Sequence, residues 1–447
     1  MTTTNRRSFL KTASAAGAAA FIAPKISNAT VSEMKQTKDE VNIAFIGCGG
    51  RGRGHLKRAA MTEGVKITAF CDIDPNAVKA TQKILKEQGH PEAEVYSDSE
   101  NAYLEMLKRD DIDGVLIATP WLWHTRMAVA TMKAGKYVAV EVSAANTMEE
   151  CWDLVNTSEE TGMPCMILEN VNYRRDVMAV MNMVKQGIFG EVVHARCGYR
   201  HSLLNVKFNK DLKFGEGATG EANWRTLHSL KRNADVYPTH GLGPIAAMLD
   251  INRGNRFLYL TSTATKAVGL KDYLQEQGGE DQPSAKLPWK QGDIITSVIK
   301  TTNGETIIVT HDTNLPRPYS LNFHVAGTDG VTDFDYGNRR VHIEGKSEGH
   351  GWDEFQAWQD KYDHPLWKKY GEIAESSGHG GIDYFVTREF INSVKEQRQP
   401  VMDVYDAAAW SSVTPLSEAS IAQGSAPQYF PDFTRGNWIK RKPVTFE

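Results

Sequence analysis

Gly47-x-Gly49-x-x-Gly52 closes a short apolar run, Val41 to Ile46, and opens a stretch that can begin a helix. Glycines at that spacing can hold a dinucleotide. The first makes a tight turn, the second lets backbone approach a pyrophosphate, and the third lets helix and strand pack closely. Unpaired N–H groups at the helix start then face the phosphates. A second apolar run, Val65 to Cys71, ends in Asp72, twenty residues beyond Gly52. A carboxylate there suits the ribose hydroxyls of NAD and repels the 2′-phosphate of NADP. The chemistry on offer is hydride transfer, with NAD as the expected cofactor.

Such a loop needs a parallel sheet behind it. Between Val41 and Pro164, runs at 41–46, 65–71, 94–96, 114–119 and 137–141 read as strands, and stretches at 75–88, 100–108, 123–134 and 147–161 read as helices. This alternation predicts an α/β class domain over 41–164, a Rossmann-type doubly wound parallel sheet with ligands at the carboxyl ends of its strands. Three of those ends carry polar or aromatic groups: Thr119-Pro-Trp121-Leu-Trp-His124, Glu141-Val142-Ser143 and, after an apolar run at 163–168, Glu169-Asn170. From about Glu191 the chain becomes β-rich, with strands expected at 191–199, 256–266, 293–301, 305–310 and 321–327. Residues 382–397 and 404–422 read as helices, and the aromatic, charged stretch 350–375 as a surface loop or helix pair.

The 447 residues suit about two or three domains. A formal net charge of −4, with both signs mixed along the chain, points away from nucleic acid. Residues 1–29 read as a twin-arginine signal peptide: Asn5-Arg6-Arg7-Ser8-Phe9-Leu10-Lys11, a mild alanine-rich apolar run, and Ser27-Asn28-Ala29 as a cleavage site. The expected destination is periplasmic or extracellular. That route carries folded proteins, so the cofactor can travel inside, and outside the cytoplasm a retained NAD must return to its starting redox state each turnover. Residues 30–40 read as a linker, and no other segment is apolar enough to span a membrane. The five cysteines, Cys48, Cys71, Cys151, Cys165 and Cys197, show no metal or disulfide spacing and read as buried free thiols. No HExxH motif, carboxylate cluster or Cys/His spacing predicts a metal.

Thr119-Pro120…His124 followed by Ala134-Gly135-Lys136-Tyr137-Val138…Glu141 resembles the Gfo/Idh/MocA family. That resemblance implies a Rossmann domain followed, over 165–447, by a substrate-binding α/β domain with an open, mostly antiparallel sheet. Sugar oxidoreductases of that family usually continue Glu-Lys-Pro, the lysine assisting proton transfer. Here the sequence is Glu141-Val142-Ser143, which argues against a plain alcohol dehydrogenase.

A narrower resemblance rests on Leu168-Glu-Asn-Val-Asn-Tyr-Arg-Arg175, Gly198-Tyr-Arg-His201, Trp224-Arg225-Thr226, Tyr237-Pro-Thr-His-Gly-Leu-Gly-Pro244, Arg317-Pro-Tyr319 and Gly378-His-Gly-Gly-Ile-Asp-Tyr384. Together these resemble glycoside hydrolase family 109, the NAD-dependent α-N-acetylgalactosaminidases. The resemblance implies that Gly50, Arg51, Asp72, the Trp121–His124 segment, Glu141, Val142 and Asn170 contact NAD. It places Glu169, Tyr199, His201, Tyr237, His240 and Tyr319 around the sugar. Arg225 and Tyr237-Pro238-Thr239-His240 would hold substrate hydroxyls or the acetamido group. His311 and His379 read as structural. Family members commonly associate through the C-terminal sheet, so a homo-oligomer is expected.

Most glycosidases flank the bond with two carboxylates. A redox route suits this chain better: oxidation at carbon 3 of the sugar acidifies the carbon 2 proton, the carbon 1 group is eliminated, water adds, and the hydride returns. Tyr199 with His201 would move protons at carbons 1 and 2, and His240 with Tyr237 would assist at the carbon 3 hydroxyl. Tyrosine would need its pKa lowered, by a nicotinamide cation or a histidine. The expected function is an exported, NAD-dependent glycosidase acting on glycans with terminal α-N-acetylgalactosamine. Two rivals stand beside it: a periplasmic sugar oxidoreductase with tightly bound NAD(P), and a non-catalytic sugar-binding protein.

Overall fold

The computed structural model describes residues 37–335 and 337–447. The expected signal peptide and most of the linker lie outside the described residues.

Six short strands build the first sheet: β1 (Val41–Ile46), β2 (Val65–Cys71), β3 (Glu94–Tyr96), β4 (Gly114–Ile117), β5 (Tyr137–Val140) and β6 (Cys165–Ile167). Their order is β3-β2-β1-β4-β5-β6, every pairing parallel. The connecting helices are α1 (Gly50–Ala60), α2 (Pro75–Glu87), α3 (Ala102–Met106), α4 (Trp121–Lys133) and α5 (Met148–Thr161). β4, β5 and β6 are buried at every position, as continuous apolar runs covered on both faces must be. Local chemistry fixes the helix starts: Asp74 caps α2 through the Asn76 N–H with Pro75 at its first position, and Thr147 caps α5.

After α6 (Arg175–Lys185), β7 (Val192–Arg200) enters a second sheet of nine strands. Helix α7 (Thr239–Met248) lies against it, followed by β8 (Phe257–Ala264), β9 (Ile294–Thr301), β10 (Thr306–Asp312), β11 (Phe323–Gly327), β12 (Gly330–Asp335), β13 (Asn338–Ile343) and β14 (Asp353–Glu354). The order is β14-β13-β12-β11-β7-β10-β9-β8-β15, with β15 at Gln428–Tyr429. Only β10–β7 is parallel; the other pairings are antiparallel. The 350–375 stretch forms mainly a helix pair, α8 (Phe355–Tyr362) and α9 (Pro365–Ser376).

The expected helix 404–422 is two helices, α11 (Val404–Ser411) and α12 (Val413–Ala422), preceded by α10 (Ile382–Lys395). Pro415 lacks an N–H and is best tolerated in the first turn of a helix, where it sits in a second helix that begins at Val413. Asp403 and Asp406 form a capping box at the start of α11, and Arg253 reaches Asp406 at 2.6 and 2.8 Å. Removing one partner of such a buried pair costs roughly 3–5 kcal/mol. These C-terminal helices return to the first sheet: Ile167 N–H donates to Met402 O at 3.2 Å, and Phe390 and Val394 press on Gly114. All five thiols are buried and free. Among the described residues, no helix is long and apolar enough to cross a membrane.

Candidate active site

The carboxyl ends of the first sheet hold a cradle for the dinucleotide. Gly47 turns with φ +84°, and a Cβ at Gly52 would lie 1.9 Å from Gly47 O, so strand and helix meet where only hydrogen fits. A Cβ at Gly49 or Gly50 would meet nothing within 4 Å, so the loop's outer face is open to a ligand. Asp72 ends β2 and ties the loop down, its Oδ2 accepting from Cys48 N–H at 2.6 Å and its Oδ1 from Asp74 N–H at 2.9 Å. Asn170 leaves a buried Oδ1 without a partner among the described residues, an acceptor suited to a carboxamide N–H. The residues present therefore fit NAD.

Trp121 and His124 act behind this cradle. Trp121 Nε1–H donates to Val142 O at 3.1 Å, while the His124 ring spans Ser143 O and Thr119 O, each at 2.7 Å. Both side chains are buried and fasten the end of β4 to the end of β5.

A charged network stands where the family's lysine is missing. Arg51 Nε donates to Glu141 Oε1 at 2.5 Å and its guanidinium reaches Asp383 Oδ2 at 2.8 Å. His55 Nε2 lies 2.7 Å from the same Glu141 oxygen. Burial works to raise the Glu141 carboxyl, but Arg51 and His55 outweigh it and bring the pKa down to about 2. Burial equally opposes the Arg51 charge, yet Glu141 and Asp383 together hold the guanidinium above its ordinary range. The cation beside Glu141 thus keeps its proton and cannot perform a lysine's proton transfer.

His379 was expected to be structural, and the structure places it among the residues lining the cleft. It lies at the rim of the cleft with φ +53°, and its Nδ1 is 2.8 Å from Asp383 Oδ2. Asp383 in turn accepts from Asn170 Nδ2–H at 2.8 Å. Burial opposes the Asp383 charge, but His379, Arg51, His55 and Asn170 carry its carboxyl far below the usual range. Its signal in the sequence was a His and an Asp four residues apart at a helix start, beside three glycines. His311 is buried, 3.2 Å from Asp235, and faces no cleft.

A cleft of about 700 Å³ opens beside this network, lined in part by Asn170, Tyr199, His201, His240, Tyr319 and His379. Tyr199 and His201 end β7 with the phenol oxygen 3.1 Å from His201 Nδ1. Rings crowd around Tyr199: Tyr237 at 4.9 Å, His240 at 5.4 Å and Tyr319 at 6.1 Å between centroids. His240 lies in the first turn of α7. A Cβ at Gly241 would lie 2.3 Å from Gly198 N, and one at Gly243 would lie 2.8 Å from Glu169 Cγ. Those two glycines let α7 approach closely enough to set His240 between Tyr199 and Glu169.

Glu169 is fully buried, its Oε1 accepting from Val171 N–H at 3.0 Å and lying 2.7 Å from His240 Nδ1. A carboxylate only accepts, so a proton sits on Nδ1, and in the neutral imidazole Nε2 is the acceptor. Burial pushes the Tyr199 phenol up to about 12 despite Arg225, and holds His201 below 6.5 with Arg225 and His240 adding to the effect. The chain alone therefore presents a protonated phenol donating to a neutral imidazole. Burial likewise raises Tyr237 well above its ordinary value.

Arg225, Tyr237, Pro238 and Thr239 are not at the cleft surface. Tyr237 stacks on Trp121 at 5.4 Å, and Arg225 lies over the Trp121 and Tyr237 rings at 4.6 and 4.9 Å while pairing with Glu221. Pro238 and Thr239 are buried at the start of α7. Among the described residues, no three His, Cys, Asp or Glu side chains gather as a metal would require.

A dinucleotide cradle at the mouth of a parallel sheet, facing a tyrosine–histidine cleft on a second open sheet, defines an enzyme built on the Rossmann oxidoreductase plan. Residues 41–168 match the oxidoreductase family, NAD-binding Rossmann fold, and residues 173–440 match the glycosyl hydrolase 109 C-terminal domain. The chain belongs to glycosyl hydrolase family 109. It is 49% identical to a glycosyl hydrolase family 109 protein of Parabacteroides distasonis, over 98% of each chain. It is also 49% identical to an alpha-N-acetylgalactosaminidase of Tannerella forsythia, again over 98% of each. A levoglucosan dehydrogenase in complex with NADH and levoglucosan shares the fold, with a TM-score of 0.65 and 19% identity over 88% of this chain and 100% of that one. NAD is the cofactor, and the chain is an NAD-dependent glycoside hydrolase.

Proposed function

We propose that this hydrolase releases terminal α-N-acetylgalactosamine from glycans, is exported by the twin-arginine route with NAD already bound, and works by oxidation, elimination, addition and reduction. The observation that carries the mechanism is the pairing of the cradle with two proton-handling dyads, Tyr199–His201 and His240–Glu169, at one cleft. Similarity to the Tannerella forsythia alpha-N-acetylgalactosaminidase supports the sugar, and the Arg6-Arg7 leader supports the route.

When bound, NAD supplies reversible oxidation at carbon 3, which acidifies the carbon 2 proton and lets the carbon 1 group leave before the hydride returns. The Gly47–Gly52 loop, Asp72 and Asn170 hold the cofactor, while Trp121, His124, Glu141 and Val142 brace the strand ends around it. His240 Nε2 takes the carbon 3 hydroxyl proton, its ring fixed by Glu169. Tyr199 takes the carbon 2 proton as its own passes to His201, which fits a phenol too basic to ionise alone. The same dyad returns a proton to the departing oxygen. Arg225 and Tyr237 hold Tyr199 in place.

Replacing Glu169 with Gln is expected to lower kcat by about 10–100-fold, because His240 loses the group that fixes its tautomer. The bound NAD content should stay unchanged, and both are read on purified protein. An aryl α-N-acetylgalactosaminide tests the function itself. Release without added NAD, unaffected by a chelator, is the expected result. No release, with sugar-dependent reduction of the bound nucleotide, would overturn it in favour of an oxidoreductase.

A further inference from the structure

The cleft continues past the catalytic dyads. Beyond Tyr319 its wall is made by the start of α6, by β13 and by α8 and α9, through Arg174, Arg175, Arg339, Gln356, Gln359 and Glu375.

The far wall is built for polar but uncharged company. Arg174 grips Asp176 through two contacts, 3.1 and 2.7 Å, and Arg339 reaches Asp176 at 3.4 Å. Arg175 pairs with Asp363 at 2.9 Å and with Glu375 at 3.4 Å. Three guanidiniums thus face three carboxylates, and no net charge remains to select an anion. What remains is hydrogen-bonding capacity. Gln359 is only 7% exposed, yet among the described residues its Oε1 has no hydrogen-bond partner. A buried amide oxygen left unpaired costs about 1–3 kcal/mol, and because Gln359 is one of the residues lining the cleft, a turn of its amide toward a donating ligand would relieve that cost. Arg339, half exposed, has further N–H groups to offer an acceptor oxygen. A group that both donates and accepts through closely spaced oxygens, without charge, is a sugar hydroxyl array.

We propose that Gln359 and Arg339 form an aglycone subsite that binds the second, neutral sugar of the substrate glycan, a hydroxyl of that sugar donating to Gln359 Oε1. The inference rests on the glycosidase reading above. It makes the enzyme one that prefers a disaccharide or longer glycan to an aryl glycoside of the same terminal sugar.

The test compares two substrates, an aryl α-N-acetylgalactosaminide and a disaccharide in which α-N-acetylgalactosamine is joined to a neutral hexose. In the Gln359→Leu variant, kcat/KM for the disaccharide should fall at least about tenfold more than that for the aryl glycoside. Arg339→Ala, at a half-exposed position that a fold tolerates, should shift the ratio in the same direction. An equal loss on both substrates in both variants would make these residues merely structural and overturn the proposal, as would no change on either. Failure of the glycosidase reading itself looks different: the unaltered enzyme would then release sugar from neither substrate.

Discussion

A single methyl group at position 52 is expected to strip this enzyme of its nucleotide. The Cβ introduced by Gly52→Ala would lie 1.9 Å from Gly47 O, and the strand–turn–helix junction would have to open. In this variant the NAD content of the purified protein should drop at least about tenfold, a loss of about 1.4 kcal/mol or more, and turnover without added NAD should disappear with it. Gly49→Ala separates cofactor loss from misfolding. A Cβ there meets nothing within 4 Å among the described residues, so thermal stability should hold, but the methyl stands on the open face that a pyrophosphate must approach. NAD content should therefore fall in a variant that melts normally. Full NAD content in both variants would show that the loop is not the cradle.

Tyr199→Phe is expected to have the largest effect on the chemical step. The ring remains and keeps its packing against Tyr237, His240 and Tyr319, but the oxygen 3.1 Å from His201 Nδ1 is removed. Proton transfer by a positioned side chain is worth about 10²–10⁴-fold, and kcat on an aryl glycoside should fall by that factor with NAD content unchanged. A variant retaining activity within about threefold would remove the Tyr199–His201 pair from the mechanism. A second consequence concerns pH. Activity that needs neutral His201 should persist below pH 6.5, because burial first, and then Arg225 and His240, hold the imidazole below that ordinary value. The acid limb of kcat/KM is the measurement.

The first sheet was legible because its physics is local. Apolar runs of four to seven residues, separated by helical stretches and closed by Gly47 and Asp72, dictate parallel strands and a strand-end site. The second half was less so. Helix α7 carries Gly241, Gly243 and Pro244, poor helix formers, and no helix was expected there; Gly241 packs on Gly198 and Gly243 on Glu169. Strands β12 and β13 are six residues each, and charged side chains on β13 hide its alternation. The site residues near β7 and α7 came from motif resemblance, and the structure brings Tyr199, His201, His240 and Tyr319 to one cleft. It also assigns work that spacing could not reveal. Glu169 orients His240, and the Arg51–Glu141–Asp383 network draws on segments more than three hundred residues apart. The contact of His379 with Arg51, and that of its neighbour Asp383 with Asn170, likewise form only in the fold.

The central claim is that a resident nucleotide makes hydrolysis proceed through loss of the carbon 2 proton. It is tested most directly by turnover of an aryl α-N-acetylgalactosaminide in deuterated water, followed by mass and proton spectra of the released sugar. The account predicts deuterium at carbon 2. Release of sugar that retains its full protium at carbon 2 would contradict it.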